Sequence, residues 1–128
     1  MTTPLVCLMI VAFMPYVCAW VGAYFKVKQF GTLDNKNPRQ QNAKLEGVGA
    51  RLAAAQANAW EALPFFTAAV VASQLGHAEP GRAAWLSELF VVTRILHPVF
   101  YATDQDRLRS LVFLIGFASA IGLFASSW

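Results

Sequence analysis

The sequence predicts an all-α integral membrane protein, a four-helix up-down bundle. Of its 128 residues, 57% are hydrophobic and only 13% charged, and the mean hydropathy is +0.47, above the range of ordinary soluble domains. Two stretches of membrane-spanning length also carry no charge at all.

The first helix is expected over residues 4–25. "PLVCLMIVAFMPYVCAWVGAYF" is uncharged, and about 20 such residues cross roughly 30 Å of hydrocarbon. No Lys or Arg precedes Lys26, and the run exceeds the roughly 7–15 residues of a signal-peptide core, so it reads as a retained helix. A polar connection follows, "KVKQFGTLDNKNPRQQNAKLEGVGA", whose Gly, Asn-Lys-Asn-Pro and mixed charge read as loop. The second helix is expected over 51–75, interrupted by Glu61, and the third over 82–101, interrupted by Glu88, Arg94 and His97. The fourth, over 108–127, contains the uncharged run "SLVFLIGFASAIGLFASS". The short links "GHAEPG" and "ATDQD" make neighbouring helices antiparallel. No repeat or second domain is visible, so residues 1–128 form one unit.

Charge sets the orientation. Eight basic residues, Lys26, Lys28, Lys36, Arg39, Lys44, Arg51, Arg107 and Arg109, lie in or beside the first and third connections, whereas Arg82 alone borders the second. The first and third loops are therefore expected in the cytoplasm and both termini on the opposite side. This bias accounts for the basic pI of 9.1. No basic and aromatic residues interleave on a soluble face, which excludes a nucleic-acid partner. Cys7 and Cys18 are eleven residues apart on one helix, about 16 Å along its axis, too far to pair. Neither has partners at a metal-ligand spacing.

The second and third helices carry the chemistry. An ionisable group inside a membrane helix costs at least about 2.5 kcal/mol on insertion scales, so it faces the protein interior and has a partner. In "RLAAAQANAWEALPFF", Arg51, Asn58 and Glu61 fall on one expected stripe. In "RILHPVFY", Arg94, His97 and Tyr101 repeat the pattern at i, i+3 and i+7. These groups serve equally well as an interhelical network, with Glu61 paired to Arg94, or as a polar ligand site.

The whole chain resembles the MAPEG family, the membrane-associated proteins in eicosanoid and glutathione metabolism. The resemblance rests on Asn58, Glu61, Pro64 and Phe66 in an Asn-x-x-Glu-x-x-Pro-x-Phe pattern, Arg51 upstream, and Arg94, His97 and Tyr101 in Arg-x-x-His-x-x-x-Tyr. It implies a homotrimer in membrane lipid, with glutathione as co-substrate held between subunits near the cytoplasmic side. It implies Arg51, Asn58 and Glu61, with Gln56 as a weaker candidate, as ligands from one subunit. Arg94, His97 and Tyr101 contribute from its neighbour or brace the site. An arginine at the start of the fourth helix, Arg109 in preference to Arg107, would hold the thiolate. The activity implied is that of a glutathione transferase or peroxidase acting on apolar electrophiles or lipid hydroperoxides. Two positions depart from the pattern: Ala54 stands where active members usually carry arginine, and Ala62 where some carry an aromatic residue. Ala54 favours the alternative of a non-catalytic scaffold or accessory subunit.

Overall fold

The computed structural model describes residues 1–128. It is all-helical, with four long helices and a short one: α1 (Thr3–Phe30), α2 (Pro38–Ala43), α3 (Gly47–Leu75), α4 (Pro80–Ala102) and α5 (Asp106–Ala125). On length and composition, α1, α4 and α5 are able to cross a membrane. The fourth long helix, α3, spans 29 residues and carries Arg51, Gln56, Asn58 and Glu61.

Helix ends differ from the expected ones for local reasons. Rather than stopping at Phe25, α1 continues to Phe30, where Gly31 takes a left-handed conformation at φ 79° and donates its N–H to the Val27 carbonyl. Its 28 residues measure about 42 Å, more than the hydrocarbon requires, so Lys26 and Lys28 lie beyond the apolar segment. The long connection, expected as plain loop, is ordered. Pro38 starts α2, and the Asp34 carboxylate accepts the N–H groups of Lys36 and Asn37. Gln41 accepts from the Asp34 N–H and donates to the Thr32 carbonyl. Gln29 spans the gap to α3, donating to the Lys44 carbonyl and accepting from the Glu46 N–H. At the start of α4, the Glu79 carboxylate accepts from the N–H groups of Gly81 and Arg82. Those two backbone bonds hold its pKa below the usual value of 4.5.

Contacts at the ends fix the relative directions of the helices. Thr2, before α1, donates to Gln74 near the end of α3, and Arg51, early in α3, donates to Ala102 at the end of α4. Gly76 abuts Ser127, after α5. Neighbouring long helices therefore alternate in direction. Toward the end away from the basic loops they enclose an apolar core around Val11, Phe66, Val70, Phe90 and Leu123. The Phe66 and Phe90 rings stack with centroids 4.0 Å apart. Large apolar side chains such as Phe13, Trp20, Leu114 and Ile115 point outward. Such a surface is tolerated where the surroundings are lipid or another chain.

The closest helix approach is between α4 and α5. A Cβ on Gly116 would overlap the Thr93 Oγ1, whose hydroxyl donates to the Phe90 carbonyl. Gly116→Ala is expected to lower stability in detergent by about 1–3 kcal/mol, the usual cost of overpacking. Adding Thr93→Ala should recover much of that loss, a coupling that a double-mutant cycle of unfolding curves would measure.

Candidate functional site

The candidate site is a polar line across α3, α4 and α5, running inward from the basic end. Arg109, on the first turn of α5, lies with its guanidinium carbon 4.4 Å from the centroid of the Tyr101 ring. Tyr101 meets His97 edge to face at 5.7 Å. One turn deeper on α4, the Arg94 Nη1 donates to Asn58 Oδ1 on α3 at 2.9 Å. Arg94 and His97 are each only 5% exposed, although α4 is one of the membrane-spanning candidates.

Two hollows open along this line. The larger, about 520 Å³, lies beside Asn58 and Glu61 of α3, His97 and Tyr101 of α4, and Arg109 of α5. Ala54 and Ala57 form part of its wall. A smaller slot of about 170 Å³ lies beside Arg94 and Phe90, and shares Asn58, Glu61 and Phe113 with the first. A zwitterionic guest in the larger hollow would find a cation at Arg109, a carboxylate at Glu61, an amide at Asn58 and ring donors at His97 and Tyr101. No group of three His, Cys, Asp or Glu side chains is placed to hold a metal.

The continuous α3 helix keeps Arg51, Asn58 and Glu61 on one side, but only Asn58 and Glu61 line the hollows. Arg51 turns to α4 and donates from Nε to the Ala102 carbonyl at 3.2 Å, satisfying an acceptor that the end of α4 leaves open. Gln56 also stands apart from both hollows. It is two residues from Asn58, about 200° around the helix, and faces elsewhere. The Glu61–Arg94 pair expected of a plain network is absent, since Asn58 takes the arginine instead. Of the two arginines on α5, Arg109 lines the larger hollow while Arg107 is exposed. Asn58, Glu61, His97 and Tyr101 line the larger hollow with Arg109, and Arg94 lines the smaller slot. Reading the sequence for polar groups alone missed Phe113 and Phe117, whose i, i+4 spacing puts both on the site's face of α5.

A family model described as MAPEG matches residues 3–127, nearly the entire chain. The chain belongs to the MAPEG family. As a MAPEG protein it is a membrane protein, in agreement with its three long apolar helices. The family includes glutathione-dependent transferases and peroxidases as well as non-catalytic members. No curated protein and no solved structure matches the chain.

The Arg94–Asn58 bond yields a direct test. Removing the acceptor strands a buried guanidinium, so Asn58→Ala is expected to cost about 1.5–3 kcal/mol, whereas Asn58→Asp keeps an acceptor and should retain most of the stability. Unfolding in a denaturing-detergent titration would measure both.

Proposed function

We propose that the protein is a membrane-bound glutathione-dependent enzyme, a transferase or peroxidase acting on apolar electrophiles or lipid hydroperoxides. The observation that carries this reading is the convergence of Asn58, Glu61, His97, Tyr101 and Arg109 on one hollow of about 520 Å³. Glutathione has two carboxylates, one ammonium and a thiol. Glu61 suits the ammonium, and Asn58 and Tyr101 suit the peptide groups and carboxylates. A thiol with a pKa of about 8.5 is mostly protonated at neutral pH. Arg109 keeps its own proton and would hold the sulfur as thiolate. Arg107, exposed on another side of α5, acts as a cytoplasmic anchor.

A fourth span and a homotrimer complete the proposal. In the isolated protomer Glu61 is exposed, as are Phe65, Leu114 and Phe117 on the same side. A carboxylate left against lipid is costly, so a neighbouring subunit covering this face would make α3 a membrane helix like the others. Of the small residues on α5, Gly116, Ser119 and Ala120 are buried within the protomer and Gly122 meets Leu86 of α4, which leaves Ala118 exposed to a neighbour. The non-catalytic reading draws on Ala54, which leaves the wall of the hollow without a second cation.

Calorimetric titration of the detergent-solubilised protein with glutathione decides between them. Binding is expected, weakened about tenfold or more by Glu61→Gln with an unchanged melting temperature. Arg109→Ala should abolish the ultraviolet absorbance of the bound thiolate, and Arg107→Ala should keep it. Wild-type protein that takes up no glutathione would overturn the glutathione reading.

The basic bias of the connections supports a cytoplasmic side for α2 and the α4–α5 turn. A cysteine in place of the exposed Gln40 should therefore react with an impermeant thiol reagent only after cells are opened. Labelling of intact cells would reverse the orientation.

A further inference from the structure

The bundle has another concavity, on the side away from the hollows. α1 and α5 pack on either side of α3 and α4. The hollows lie among α3, α4 and α5, whereas this concavity lies between α1 and α4, over the start of α3. Cys18 of α1 and Leu52 of α3 are buried at its floor, and Val17 and Val21 of α1 and Ile95 and Val99 of α4 stand exposed along its rims. It is therefore a groove open to the side. Its volume is about 540 Å³, within the range of about 300–1,000 Å³ that holds small ligands. No residue that lines it lines either hollow.

Chemistry and length select the occupant. Thr103 is the one lining residue whose side chain carries oxygen or nitrogen, and its hydroxyl already donates to the Val99 carbonyl. Nothing along the groove addresses a polar guest. From Met14 to Phe25 it follows eleven residues of α1, about 16 Å, against about 15 Å for half of a 30 Å hydrocarbon layer. The groove thus has the length of one acyl chain in one leaflet.

Its mouth, at Phe25, Val48 and Thr103, is at the basic end of the bundle. The connections there carry, in or beside them, eight Lys and Arg against four Asp and Glu, and one of those acids, Asp34, is engaged with backbone N–H groups. Lys28 is exposed. It comes three residues after Phe25 and seven after Val21, so it continues the groove's own stripe of α1 just beyond the apolar lining. Lys26, two residues earlier, is about 200° away around the helix and faces elsewhere. An ammonium at the end of an apolar groove matches a phosphate at the end of an acyl chain. Asp104, next to Thr103 at the same mouth, sets the balance against headgroups with several negative charges.

We propose that this groove binds one acyl chain of a phospholipid with a singly negative headgroup, whose phosphate rests on the Lys28 ammonium. The chain covers Cys18 and Leu52 and bridges α1 to α4, and the headgroup fixes its register. Basic side chains at a membrane surface attract anionic lipid in general; the groove makes the attraction local to one side of α1. The site is independent of the glutathione reading, since the two share no residue.

Native mass spectrometry of the full-length protein counts bound lipid. The protein is delipidated in detergent and then offered phosphatidylglycerol or phosphatidylcholine with identical chains. Phosphatidylglycerol is expected at one per protomer, bound about fivefold or more tightly than phosphatidylcholine, the gain from one basic side chain near anionic lipid. Lys28→Ala should remove the preference. Lys26→Ala, which subtracts the same charge from the other side of the helix, should keep it. Ala102→Phe should release the tightly held lipid of either kind by filling the groove. Equal retention of the two lipids, equal effects of the two lysine variants, or tight binding unchanged by Ala102→Phe would overturn the proposal. So would the absence of retained lipid, the result expected if a second copy of the chain covers this face. Should Ala102→Phe fail to fold, the two lysine variants still decide it.

Discussion

A guanidinium in the middle of an apolar helix constrains everything packed around it. Arg94 lies on α4 among Phe90, Val91 and Ile95, where leaving the charge in contact with lipid would cost several kcal/mol. Three helices share the work of enclosing it. From α3, Asn58 supplies the acceptor. From α5, Phe113 supplies a ring face, and Gly116 lets the helix come near enough to seal the group in. From α4 itself, Phe90 sits one turn away and stacks on Phe66 of α3, so the polar contact and the apolar core are braced by the same ring. The mutual placement of α3, α4 and α5 follows from this one burial.

The same constraint explains why the two arginines nearest the expected binding stripe diverge in role. Arg94 is held inward by Asn58. Arg51 lies near the basic end, where the last carbonyls of α4 lack intrahelical donors, and it is drawn to Ala102. Proline adds to the supply of open acceptors on α4. Pro98 has no N–H to give the Arg94 carbonyl, yet the helix continues through it to Ala102. At the outer end of the line, Arg109 rests on the Tyr101 ring, a cation–π contact that holds the guanidinium beside the hollow.

Much of this was legible in the sequence because charge and apolar length are local properties. α1 and α5 announce themselves by lacking any charge over a membrane's thickness. Their ends do not, since the stop at Phe30 depends on the left-handed Gly31. The short α2 was invisible because Gln29, Gln41 and Asp34 organise it through bonds across the connection. In the site, Asn58 and Glu61 at i, i+3 and Arg94, His97 and Tyr101 along one face of α4 were readable from helical periodicity. Arg51 was not, because a side chain near a helix end can turn to a neighbouring helix, which spacing alone does not record. Gln56 violated the periodicity from the start. The phenylalanines were missed for the opposite reason: in a membrane chain an aromatic residue carries no contrast until packing shows which rings are parallel.

Small residues then decide what the site can hold. Ala54 and Ala57 stand on the wall of the larger hollow and Ala62 on that of the slot. All three lie on the same turns of α3 as the polar groups. A longer side chain at Ala54 would reach into the larger space, and a cation there would share the attraction for an anionic guest with Arg109. With alanine, Arg109 is the only Lys or Arg lining that hollow. On the glutathione reading, one guanidinium must then serve both the sulfur and whichever carboxylate comes near. Glu61 and the neutral donors must fix the remainder of the tripeptide. Affinity in such a site depends on few ion pairs, each of which counts. Because Glu61 is exposed, its pair with the ammonium is open to screening, and binding should weaken as salt is raised.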